Sequence, residues 1–165
     1  NKDDTSLAFY TSDVSTGISS LSSFHSSHKE SNLVDSVTLA SYIKENSIDK
    51  VGFLKIDTEG HDFFVLQGFP WDALAPEVIV CEFEDRKTKP LGYEVHQMAQ
   101  YLREKGYEIL VSEWYPIVEY GGNHKWRKVM GYPCELADSN AWGNLIAVKD
   151  KSLYSNLIEK TTLFA

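Results

Sequence analysis

Cysteine is scarce. Cys81 and Cys134 are the only two in 165 residues, far apart and without a C-x-x-C pair. That excludes a disulfide scaffold and a cysteine-rich zinc site, and it suits a reducing, cytoplasmic setting. No apolar run approaches the roughly 20 residues a membrane-spanning helix needs, so no membrane span is expected. The opening residues Asn1-Lys2-Asp3-Asp4 lack the apolar core of a signal peptide. Positive charge is in deficit: 16 Lys and Arg against 24 Asp and Glu leave a net charge of −8. A surface of that sign is repelled by phosphate, which argues against a nucleic-acid partner. There is no G-x-S-x-G, no P-loop and no Cys/His pair in a recognisable context, so serine or cysteine hydrolases and P-loop enzymes are disfavoured.

What is present is an ordinary globular composition, 42% apolar and 24% charged. A chain of this length buries roughly 70% of its unfolded surface, enough for one core. Residues 1–35 stand apart: ten of the first 31 are serine. Such a stretch buries little by itself, and we expect a hairpin or loop draped on the body. Residues 36–150 alternate strand and helix. Leu39, Tyr42 and Ile43 share a helical face, with Thr38 as cap and Asn46-Ser47 as stop. The run 51–57 is mostly apolar and reads as a strand covered on both faces. A short helix over 62–67 follows, with Gly68 at the expected left-handed end position. Glu77 to Phe83 is the next strand, far enough on for a parallel crossover. Val95, Met98, Ala99 and Leu102 make an amphipathic helical stripe stopped by Gly106. Tyr107 to Glu113 and Asn144 to Lys149 are two more strands. No crossover helix lies between them, so they are expected to run antiparallel. Residues 151–165 read as a C-terminal helix or tail. The fold class is α/β, a mainly parallel sheet closed by an antiparallel pair.

Ligands of open α/β sheets bind beyond the carboxyl ends of the parallel strands. Both central strands end in acids, Asp57-Thr58-Glu59-Gly60-His61-Asp62 and Glu82-Phe83-Glu84-Asp85-Arg86. If the strands are neighbours, Asp57 and Glu82 reach one bound molecule, where carboxylates orient hydroxyls, accept a proton or hold a divalent ion. The plain alternative is that Asp57 or Thr58 caps the next helix. Glu84 and Asp85 read as a solvated turn pairing with Arg86 and Lys87. The segment 114–143 holds Trp114, Trp126 and Trp142 with Tyr115, Tyr120 and Tyr132. Aromatics this crowded either plug the end of the sheet or line a pocket. The run His124-Lys125-Trp126-Arg127-Lys128 is basic, and reads as an exposed face or as a phosphate or base contact. His25-x-x-His28 has metal-ligand spacing only in a helix, which its serine-rich setting does not favour. His61 and His96 are expected to pack or to face water.

The strings Phe53-Leu54-Lys55-Ile56-Asp57-Thr58-Glu59-Gly60, Val65-Leu66-Gln67-Gly68 and Val78-Ile79-Val80-Cys81-Glu82-Phe83, with Thr38-Leu39 ahead of them, resemble the FkbM family of S-adenosylmethionine-dependent methyltransferases. The likeness returns at Trp142-Gly143-Asn144-Leu145-Ile146-Ala147. It implies a Rossmann-like methyltransferase sheet with a C-terminal antiparallel hairpin, and S-adenosylmethionine as cofactor. The family's opening strand and glycine-rich turn, of V-D-V-G-A-N-x-G type, and the strand ending in a ribose-binding acid have no counterpart in these 165 residues. The chain is therefore expected to be a single partial domain, the C-terminal part, with its N-terminal part missing. The implied function is O-methyl transfer to a hydroxyl of a sugar, glycolipid or secondary metabolite, so the partner is a small-molecule or carbohydrate acceptor. Asp57 is the expected proton acceptor or hydroxyl orienter, or else holds the cofactor's methionine amine. Glu59 and Glu82 complete the catalytic set, and Trp114, Tyr115 and His124 form the acceptor pocket. The alternatives are a divalent-metal glycosyl or phosphoryl transferase using Asp57, Glu59 and Glu82 as oxygen ligands, and a non-catalytic interaction module.

Overall fold

The structure, a computed structural model, describes residue 3 and residues 5–162. Its first element is the expected hairpin: β1 (Thr5–Ser12) pairs antiparallel with β2 (His28–Ser36). Serine orders this segment by bonding to its own loop rather than by burial. The Ser12 hydroxyl meets Ser27 Oγ at 2.7 Å and accepts from the Val14 N–H at 3.1 Å. Ser15 caps a 3-10 turn over Thr16–Ile18.

The body follows as α1 (Leu39–Glu45), β3 (Phe53–Ile56), α2 (Asp62–Gln67), β4 (Val78–Glu84), α3 (Asp85–Thr88), α4 (Val95–Glu104), β5 (Glu108–Trp114), β6 (Trp126–Gly131), β7 (Trp142–Val148) and α5 (Lys151–Thr162). Thr38 Oγ1 accepts the Ser41 N–H at 3.1 Å, capping α1 as expected. Val95, Met98, Ala99 and Leu102 of α4 are all buried, against Ile79, Cys81, Phe83, Ile109 and Leu145 of the sheet. Each large side chain so buried contributes about 1.5–3 kcal/mol.

The sheet order is β3-β4-β7-β5-β6. The pair β3–β4 is parallel, while β4–β7, β5–β7 and β5–β6 are antiparallel. The expectation of a mainly parallel sheet is thus corrected to a mixed one. Strands β3, β4 and β5 do point the same way, but β7 inserts between β4 and β5, and β6 adds a further antiparallel neighbour. Gly143 makes that insertion possible, because a Cβ there would overlap the Ser112 carbonyl oxygen of β5. Two further expectations change. Strand β3 lies at the sheet's edge with Phe53 61% exposed, so it is not covered on both faces. Gly68 ends α2 at φ −85°, outside the left-handed region.

Candidate active site

The parallel pair brings the ends of β3 and β4 together, and with them the acids. Asp57, Glu59 and Glu82 each offer a carboxylate oxygen, all within 4.8 Å of one another. Glu59 enters this group through an unusual backbone, a non-glycine residue at φ 52° followed by Gly60 at φ 98°. A conformation of that kind persists only where its surroundings enforce it. Here the Ser20 hydroxyl donates to the Glu59 carbonyl at 3.0 Å, and the Tyr93 hydroxyl to the Gly60 carbonyl at 2.7 Å. Asp62 is the internal brace. Its fully buried carboxylate accepts from the Thr58 hydroxyl at 3.0 Å, the Thr58 N–H at 3.3 Å and the Glu82 N–H at 3.0 Å. Strand β3 has ended before it can pair with Glu82, so Asp62 receives a donor that would otherwise go unmet. Neither Asp57 nor Thr58 caps α2, whose N-cap is His61, without a side-chain bond. Asp57 is half exposed and pairs with Lys55 Nζ at 3.0 Å.

The segment after β4 is not a solvated turn. Glu84, Asp85 and Lys87 are all buried, and the Lys87 ammonium lies beneath the aromatic rings of Phe24 and Tyr120. Lys87 Nζ lies 2.5 Å from Glu59, 2.8 Å from Glu84 and 3.8 Å from Glu82. Arg86 pairs with Glu84 at 2.9 Å and donates to the Tyr120 hydroxyl at 2.8 Å. Asp85 accepts the first N–H of α4, from Val95, at 2.8 Å. Burial pushes the Glu59 carboxyl up from its ordinary value, against the pull of Lys87. It pushes Glu82 up to about 8, with Lys87 offsetting part of the effect and Glu59 and Asp57 adding to it. Burial of Lys87 disfavours its charge, yet Glu82, Glu84 and Glu59 outweigh that and raise its pKa. Divalent cations suit oxygen donors of this kind, but here the positive charge between the carboxylates is already supplied by Lys87.

Glu59, Glu82 and Lys87 form one side of a cleft of about 240 Å³. Ser15, Gly17 and Ile18 of the hairpin form a second side, and Tyr120, His124 and Trp142 a third. Of Trp114, Tyr115 and His124, only His124 lines this cleft, its ring edge-on to Trp142 at 5.2 Å. Trp114 packs at a tilt against Trp142, ring centres 5.3 Å apart, with its indole nitrogen buried and unpaired. Tyr115 lies outside the cleft beneath the Arg127 guanidinium, 4.1 Å from the ring centre. The aromatics therefore do both things: Trp114 plugs and Trp142 lines. The sequence places Tyr120 and Trp142 among the crowded aromatics of 114–143 without singling either out for the pocket, and the nearest further signal is the family-like string that begins at Trp142.

Two cations of the basic run, Arg127 and Lys128, are committed to a buried acid. The run enters β6, an edge strand of the kind that carries charge against unwanted pairing. Arg127 Nη1 lies 2.7 Å and Lys128 Nζ 3.7 Å from the fully buried carboxylate of Glu113. His25 and His28 bond instead to the Ser27 hydroxyl and the Ile18 carbonyl. His61 packs on Phe64, and burial lowers its pKa. His96 packs on Tyr132.

The fold and the site define a class: an α/β protein with a carboxylate-floored, aromatic-walled cleft beyond the ends of two parallel strands. The methyltransferase FkbM domain model matches residues 1–109, and the chain belongs to that family of methyltransferases. No curated protein and no solved structure matches it. The match covers the carboxylates and Lys87 and stops short of Tyr120, His124 and Trp142. Among the described residues no helix is long and apolar enough to cross a membrane.

Proposed function

We propose that this chain forms the acceptor side of an S-adenosylmethionine-dependent O-methyltransferase with a Rossmann-like fold. The acceptor is a hydroxyl of a sugar, glycolipid or secondary metabolite. The observation that carries the reading is the grouping of Asp57, Glu59 and Glu82 within 4.8 Å in a chain of this family. S-adenosylmethionine, when bound, supplies a methyl group already activated by its sulfonium. The protein's remaining work is to align an oxygen, take its proton and exclude water. Asp57 fits the donor's methionine ammonium group, since its half-exposed carboxylate already pairs with one ammonium, that of Lys55. Glu59 and Glu82 face the cleft and suit hydroxyl groups as hydrogen-bond acceptors. Trp142 and His124 offer an apolar wall against which the carbon skeleton of an acceptor packs. The test is transfer of labelled methyl from S-adenosylmethionine by the full-length protein to a panel of hydroxylated acceptors. Label in product, lost in Asp57→Asn, supports the reading. Labelling unchanged by that substitution, or absent on every acceptor, contradicts it.

A further inference from the structure

The least expected feature of the site is a buried lysine where a solvated turn was anticipated. Its side chain is 3% exposed, and so is that of Glu84, while Glu59 and Glu82 are 14% and 10% exposed. The three carboxylates are not equivalent toward it. Glu59 and Glu84 are in direct contact with the ammonium at 2.5 and 2.8 Å, while Glu82 stands off at 3.8 Å. The rings of Phe24 and Tyr120 lie 4.9 and 5.5 Å from Nζ and hold the ammonium over the carboxylates. Cation–π attraction of this kind adds to the ion pairs.

We propose that Lys87 is a positioning residue of this site: by binding Glu59 and Glu84 it leaves Glu82 as the carboxylate that exchanges a proton with a bound hydroxyl. The proposal rests on the methyltransferase reading only for the hydroxyl, because the carboxylate arrangement exists without an acceptor. In the exchange the hydroxyl O–H bond breaks, its electron pair stays on oxygen and the proton passes to a Glu82 carboxylate oxygen. The charged groups facing Glu82 act in both senses, Lys87 favouring the carboxylate and the neighbouring acids favouring the protonated form. Lys87 of α3 is the nearby cation. Asp57 and Glu59 of the turn after β3, and Asp62 of α2, are anions that favour the protonated form. On the β7 side the opposing residue is Asn144, which is neutral and accepts from Lys55 of β3 at 3.4 Å. His124 and Tyr120 face the group across the cleft. A proton acceptor is most effective when its pKa lies near the working pH, and burial pushes that of Glu82 up to about 8.

The test is a carboxyl carbon-13 NMR titration of the full chain labelled on glutamate, with no ligand added. In the wild type, the resonance that disappears in Glu82→Gln should titrate near 8. Lys87→Met removes a cation in direct contact with Glu59 and should raise the Glu59 midpoint further. Lys87→Arg, which keeps the charge, should restore it. Glu84→Gln releases Lys87 toward Glu82, so the Glu82 midpoint should fall; this arm is independent of whether Lys87→Met folds. A Glu82 midpoint in the ordinary carboxylate range, or midpoints unmoved by Lys87→Met or by Glu84→Gln, would overturn the proposal. If the titrations behave as stated while the full-length protein methylates no acceptor, the methyltransferase reading fails and the role of Lys87 stands.

Discussion

Two parts of the same cleft are built in opposite ways. Its floor, from Asp57 to Asp62 with Lys87, is locked: the Thr58 N–H and the Glu59 and Gly60 carbonyls of the turn are held by side chains, and Glu59, Glu82 and Glu84 are gathered round the buried Lys87. Its outer wall, the segment 115–125, carries aromatic and apolar side chains at the surface, with Val118 99% exposed at the tip. The wall is tied to the floor by Tyr120, whose hydroxyl reaches both Arg86 and Glu84. On the proposed function the contrast separates two tasks. Proton transfer demands carboxylates at fixed positions with fixed partners, while acceptor choice tolerates adjustable contacts on a loop. The floor lies within the residues that match the family model, and this wall lies beyond them.

Substitutions in the floor should therefore cost far more than substitutions in the wall, and a series of variants can break that ordering. Lys87→Met comes first, because leaving buried carboxylates without their cation typically costs about 3–5 kcal/mol. A thermal or urea unfolding curve close to wild type would show that the cluster is not electrostatically coupled. Asp62→Ala is next. It orphans the Glu82 and Thr58 N–H groups, and a buried donor left unmet costs about 1–3 kcal/mol. Chemical denaturation reads that loss directly, and Asp62→Asn should recover part of it.

The third prediction concerns pH. Glu82 titrates higher folded than unfolded, so the folded state binds the extra proton between about 4.5 and about 8. Its stabilising contribution is complete below the unfolded value and disappears as pH rises through the folded one. Burial gives Glu59 and Asp62 the same sign. Stability should thus decline across that window, and Glu82→Gln should flatten the slope. A slope that Glu82→Gln leaves untouched would assign the dependence elsewhere. Smallest of all is Val118→Ser at the tip of the wall, expected within about 0.5 kcal/mol of wild type. A larger loss of stability would mean that the wall is part of the packed body.

The floor was more legible in the sequence than the wall, for a physical reason. Strand periodicity and the crossover length between residues 57 and 77 bring two strand ends together, so the acids at those ends follow from topology alone. Local pattern also found the Thr38 cap, the α4 stripe and the antiparallel relation of β5 and β7. Burial of charge was not legible. Glu84-Asp85-Arg86-Lys87 has the composition of a solvated turn, and only the rings of Phe24 and Tyr120, 60 and more positions away or in another segment, put it inside. Arg127 and Lys128 likewise read as a basic patch until Glu113 appears beneath them. The insertion of β7 depends on a close backbone contact between Gly143 and Ser112, which no periodicity reports. Trp114 and Tyr115 were selected for residue type, but which side chain lines a cleft is set by the strand pairing that turns Trp142 inward and leaves Tyr115 outside.

Whether the buried carboxylate at the end of β4 handles the acceptor's proton is decided by methyl transfer in the protein at pH 8, comparing wild type with Glu82→Gln and checking by circular dichroism that both are folded. Gln keeps the shape and one hydrogen-bond acceptor but cannot take the proton. Turnover should fall about 100-fold, the ordinary worth of a positioned proton acceptor. A folded Glu82→Gln protein with near-normal turnover would contradict that role.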